Sequence, residues 1–201
     1  MTRRLLAFAL LLCALPARGD DAQVDAIANA LMTIDEPPSA TDLATVFSSS
    51  TDAITQLHDV AVDPTLDVGL RIRAIRTLPS YCPSSPGSCG TGNPVHDTLD
   101  VLISETSALT QPSARDLMIL RAAVEALGAT STVLVTDVDL LLPLLSSTSR
   151  DVRATVVQAL RTACGTDATT ALKTLGVTES SMQVRFAIMS TLQDLEQCPP
   201  P

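Results

Sequence analysis

Tryptophan is absent from this chain and histidine occurs only twice. Beyond the first nineteen residues the aromatic side chains are Phe47, Tyr81 and Phe186. Stacking platforms for bases or sugars need several aromatic faces, so that class of ligand is excluded. The core must be built from Leu, Val, Ile and Ala. Catalytic signatures are missing as well: there is no G-x-S-x-G elbow, P-loop, G-x-G-x-x-G or H-E-x-x-H. Gly90-Thr91-Gly92 is turn chemistry, since no strand precedes it. His58 and His96 are each followed by Asp. Two ligands without a third make no metal site, and both histidines read as solvent-exposed polar positions on helices. No catalytic residue, metal site or cofactor is expected. Cationic residues are scarce too: 13 Lys and Arg against 22 Asp and Glu leave a formal charge of −9. Such a chain repels nucleic acid and anionic membrane.

The beginning of the chain has the form of a secretory signal. Arg3 and Arg4 supply a positive start, residues 5–15 an apolar run, and Ala17-Arg18-Gly19 small residues at −3 and −1, which predicts cleavage before Asp20. The run is too short to span a bilayer as a helix. A lipidated Cys13 would follow Leu12, where a small residue is needed, and Thr2-Arg3-Arg4 leaves a twin-arginine route open. An exported protein, periplasmic or extracellular, is expected, with no membrane insertion after cleavage. The charge of −9 becomes −12 once Arg3, Arg4 and Arg18 are gone. Four cysteines then remain, Cys82, Cys89, Cys164 and Cys198, which an oxidising compartment would join into two disulfides by one of three connectivities.

Periodicity decides the fold class. Segments 70–78, 119–127, 152–160 and 184–192 superpose without gaps. Their first, fifth and ninth positions are Leu70/Ala74/Leu78, Ile119/Ala123/Leu127, Val152/Val156/Leu160 and Val184/Ile188/Leu192. Spacings of four and eight keep these on one helical stripe. Each segment follows a second apolar helix, over 52–61, 95–105, 137–145 and 167–175, and a polar turn with capping side chains: Asp63-Pro64, Gln111-Pro112-Ser113, 146–149 and 178–181. The chain therefore reads helix A, turn, helix B, four times over: an all-α fold, a short α-solenoid of antiparallel helix pairs. Offsets of 49, 33 and 32 residues become nearly uniform once the Pro/Gly/Ser loop at 82–93 is removed. Residues 20–49, with helices over 21–34 and 39–47, form an N-terminal cap; 50–198 are the repeats, and Pro199-Pro200-Pro201 is a tail. On this frame Cys164–Cys198 staples the last two B helices, and Cys82–Cys89 closes the inserted loop on itself. Pairing Cys82 with Cys164 would span two repeats. A metal at Cys82 and Cys89 lacks a second ligand pair.

Ser149-Arg150-Asp151-Val152-Arg153-Ala154, followed by Ala159-Leu160, resembles the signature of HEAT repeats, in particular the short bacterial, armadillo-like kind related to phycobilisome-lyase repeats. The resemblance covers roughly 50–196; the fourth unit has Gln183 in place of the Asp, and the second has Leu120 in place of the Arg. The Trp/Gly/Tyr pattern of tetratricopeptide repeats and the Thr-Pro-Leu-His of ankyrin repeats are absent. The resemblance implies a concave face made by the B helices and a structural ladder of Arg71, Asp151, Arg153 and Arg185. All nine arginines after the signal lie on B segments, whereas many of the acids lie on A helices and loops. A comparatively basic groove is expected, with Arg73, Arg76, Arg121 and Arg161 as candidates for binding a protein or an acidic peptide segment. The function so implied is a non-catalytic binding or scaffolding module. The alternatives are an enzyme-like lyase or chromophore-binding protein, by analogy with the bilin lyases, and a self-assembling spacer.

Overall fold

The computed structural model describes residues 21–32, 36–82, 89–130 and 133–198. The segment 1–19 expected to be a signal, residues 83–88 of the Cys82–Cys89 loop, and the proline tail lie outside the described residues.

Every element among the described residues is helical. Two short helices come first, α1 (Asp21–Leu31) and α2 (Ala40–Leu43). Four pairs follow: α3 (Ser50–Val62) with α4 (Val68–Thr77), α5 (Pro94–Ser107) with α6 (Ala114–Ala129), α7 (Val135–Leu141) with α8 (Arg150–Ala159), and α9 (Thr166–Thr178) with α10 (Met182–Leu195). The second members stack in one row, α4 on α6, α6 on α8, α8 on α10, and the first members α3, α5 and α7 stack in another. An all-α solenoid is thus the architecture. No helix among the described residues is long and apolar enough to cross a membrane.

Helix starts are fixed by short polar side chains that take up orphan backbone N–H groups. The N–H of Asp52 donates to Ser49 Oγ at 3.1 Å and that of Val95 to Asn93 Oδ1 at 2.9 Å. At Ser39 and Ser113 the bond is reciprocal, the backbone N–H of each donating to the carboxylate of Asp42 or Asp116. The serine hydroxyl, and after it this backbone N–H, hold both carboxyls below the ordinary aspartate value. The cap of α4 is Asp67, whose Oδ1 accepts from the N–H of Gly69 at 2.8 Å. Asp63, expected in that role, instead accepts from Thr65 within the turn.

Two expected helices are shorter. The A helix over 137–145 is α-helical only to Leu141 and continues as a 3₁₀ turn over Leu142–Ser146, because Pro143 has no N–H for an α-helical bond. The cap helix over 39–47 is a single turn, although Leu43 and Phe47 are both buried there. One apolar core runs from Ile27 to Leu195 and takes in the signature positions Ala74, Leu78, Ala123, Leu127, Val156, Leu160, Val184 and Ile188.

Within the B row α6 and α8 approach closely at Gly128. A Cβ placed on Gly128 would lie 2.7 Å from Ala159 Cα and 2.9 Å from Ala159 Cβ. The obstacle is backbone, which cannot swing aside. Gly128→Ala is therefore expected to lower the melting temperature, although alanine favours a helix by about 1 kcal/mol over glycine. Overpacking here costs about 1–3 kcal/mol. A thermal melt with a raised midpoint would show that the two helices separate freely.

Candidate functional site

The B row bounds a groove of about 820 Å³ on its α6, α8 and α10 members. Small residues form its floor: Gly128 and Ala129 from α6, Ala154 and Ala159 from α8, Ala187 and Ser190 from α10. Arg121 from α6 and Arg161, just beyond α8, provide its positive charge, and both are exposed. Glu125, Asp151 and Asp194 provide three carboxylates. Met182 and Phe186 supply an apolar edge, each 74% exposed. Two arginines against three carboxylates make the groove mixed in sign, not basic. Local charge follows side-chain direction around each helix, and the B helices carry acids on the same face as the arginines.

Of the four arginines expected to bind a partner, Arg121 and Arg161 thus share the groove. Arg76 lies beside it, donating to Glu125 Oε2 at 2.7 Å across α4 and α6. Arg73 is half-buried on α4 and does not line the groove.

The arginines expected to form a ladder divide in the same way. Arg71 Nε donates to the Ala61 carbonyl at 2.9 Å, near the end of the preceding A helix. Burial pulls its guanidinium below the ordinary arginine value, against the pull of Asp63 and Asp116. Arg153 does the same two pairs further on, through Nη1 to the Ser147 carbonyl at 2.7 Å. It also grips Glu179 with two parallel bonds, Nε to Oε2 at 2.7 Å and Nη2 to Oε1 at 2.9 Å. Glu179 in turn accepts from the N–H of Ser181 at 2.7 Å, the residue that begins α10. Asp151 joins neither: its carboxylate lies 3.6 Å from Arg150 Nε. Arg185 is exposed, with Met182 Sδ at 3.9 Å as its contact.

The histidines correct the sequence reading. His96 is buried, 4% exposed, and its Nε2–H donates to Asp137 Oδ1 at 2.7 Å. Asp137 is itself 2% exposed, and its other oxygen accepts the N–H of Leu134, which starts α7. His58 is half-buried, with Nδ1 2.9 Å from Thr98 Oγ1. Since that hydroxyl donates to the Pro94 carbonyl, the imidazole is the donor. Both histidines tie neighbouring A helices together. His96 is an interior residue because α5 lies between α3 and α7 and is covered on both flanks.

The cysteines form two bonded pairs, Cys82 with Cys89 and Cys164 with Cys198, their Cα atoms 5.3 and 5.6 Å apart. No group of three or more metal-ligating side chains occurs among the described residues. The groove lining holds no Cys, His, Tyr or Lys. Its arginines can orient a carboxylate, its carboxylates can accept an N–H, and Thr155, Ser190 and Thr191 add hydroxyls.

No protein-family model and no curated protein matches the chain. Among solved structures it is similar to a chain in the complex of CpcE and CpcF of phycocyanin lyase from Nostoc sp. PCC7120. The TM-score is 0.50 at 19% identity, over 84% of this chain and 98% of that one. The expectation that this architecture marks a protein without enzymatic work is corrected by that match, because the shared fold is found in a lyase. What the two chains have in common is a HEAT-like helical-repeat fold.

Proposed function

We propose that this chain is an enzyme-like protein of the lyase or chromophore-binding kind, related to the short bacterial HEAT repeats, which seats a carboxylate-bearing, partly apolar ligand in the α6–α8–α10 groove. The observation that carries this reading is the pairing of Arg121 and Arg161 with the apolar edge of Met182 and Phe186 around one small-residue floor. A guanidinium holds a carboxylate with two directed hydrogen bonds, and the exposed apolar edge takes the ligand's hydrocarbon part. A bilin, an open-chain tetrapyrrole with two carboxylates, has this chemistry. Asp151 and Asp194 are placed to accept its ring N–H groups. The likeness to a phycocyanin lyase supports the assignment, and the two-protein nature of that complex supports a protein partner here. The N-terminal sequence and the two disulfides support export to an oxidising compartment.

A second reading, in which the groove holds an acidic segment of a partner protein, draws on the same two arginines. One experiment separates them. A bilin is titrated into the purified protein and its visible absorption recorded, beside a variant carrying Arg121→Glu and Arg161→Glu and a control, Arg115→Glu. A red-shifted band with the wild type and the control is expected, with affinity weakened about a hundredfold in the double variant. An unchanged bilin spectrum with the wild type sinks the chromophore reading. Binding of an acidic peptide by the wild type, lost in the double variant, would then install the second.

A further inference from the structure

We infer that α10 is a self-association surface, and that two copies of this chain pair through it as antiparallel helices about a two-fold axis near Met189. Among the described residues α10 is the last helix of the B row, and its outer side meets no other described element. That side is apolar where an exposed helix face is ordinarily polar. Met182 and Phe186 are each 74% exposed and Met189 is 65% exposed. With exposed Gln193 they recur at spacings of four, three and four, a single stripe opposite the buried Val184, Ala187, Ile188, Thr191 and Leu195. Val177, 87% exposed at the end of α9, precedes it.

Charge complementarity selects a second copy as the occupant. Arg185 and Glu196 flank the stripe on the same side, about three helical turns apart. Both are exposed, and neither has an ion-pair partner among the described residues. A two-fold axis midway between them brings Arg185 of one copy against Glu196 of the other, twice. The same axis sets Met189 beside its counterpart and lays Phe186 of each copy over the Gln193 end of the other's stripe, the flexible methionines filling the space between. Parallel pairing would put the Arg185–Glu196 flanks of the two copies on opposite sides of the interface, where they form no such pair. The disulfide from Cys198 to Cys164 pins the chain just past Glu196 and holds that end of the surface in place.

The test is sedimentation equilibrium of the full oxidised protein over a concentration series, with helicity checked by circular dichroism. All the substituted side chains are exposed, so the fold is expected to persist. The wild type should show a monomer–dimer equilibrium, and Met189→Glu, outside the groove lining, should weaken it about a hundredfold or more. Arg185→Glu and Glu196→Arg should each weaken it about tenfold, since each meets a like charge twice, and the double exchange should restore it. A wild type that is monomeric throughout overturns the inference. So does a double exchange no tighter than the single ones, because that outcome excludes the antiparallel pairing.

Discussion

Alanine in place of Arg153 is expected to lower the unfolding free energy by about 2–4 kcal/mol, among the largest losses available to a single polar substitution in this chain. The reason lies in what is left behind. Glu179 is 9% exposed and receives two parallel bonds from Arg153. Without the guanidinium its charge has only backbone N–H groups near it, and the Ser147 carbonyl loses its donor as well. Arg153→Lys keeps a charge but not the fork, so an intermediate loss should follow. The pair also carries a pH signature. The hydrogen bond from Arg153, with those from the backbone of Ser181 and Ser180, holds the Glu179 carboxyl below its ordinary value. A carboxyl lowered in the folded state adds stability that is complete above its unfolded value, near 4.5, and is lost as pH falls through the folded one. Arg153→Ala should therefore flatten the acid limb of the stability curve. Urea midpoints at neutral and acid pH measure both effects. Equal midpoints for variant and wild type at neutral pH would mean that the fork adds nothing.

The second large effect concerns the end of the solenoid. Cys164 follows the 3₁₀ turn after α8, and Cys198 follows α10, so their bond closes a span of 34 residues. In the chain-entropy view such a loop stabilises by about 3–4 kcal/mol, against about 2 for the seven-residue span of Cys82 and Cys89. Replacing Cys164 and Cys198 by serine should lower stability by that larger amount. The loss should be felt first in α9 and α10, since a repeat at the end of a stack has a neighbour on one side only. Hydrogen exchange can read this by region: faster exchange in α9 and α10, with α5 and α6 little changed. Uniform acceleration along the chain would instead indicate one cooperative unit.

The fold is most legible in the sequence where a pattern repeats. Four superposable stripes such as Val152/Val156/Leu160 located the B helices, because burial of one face forces a helical period on the chain. It is less legible where the partner of a side chain is distant. Arg153 stood out as a repeated arginine, yet nothing local marks Glu179, 26 residues away, as its acceptor. His96 was read as exposed because a period of 3.6 describes a helix with one wet face, and α5 has helices on two sides. The sign of the groove was misjudged for a related reason. Counting arginines by element ignores direction, and Glu125, Asp151 and Asp194 share the face with Arg121 and Arg161. The inward turn of Arg71 and Arg153 is visible only once the preceding A helix ends beside them.

The bond between His96 and Asp137 bears on the order in which the chain takes shape. Asp137 holds the first turn of α7 through the Leu134 N–H and reaches back to α5 through His96. His96 is positioned by α5, so the first turn of α7 gains this hold only once α5 has formed.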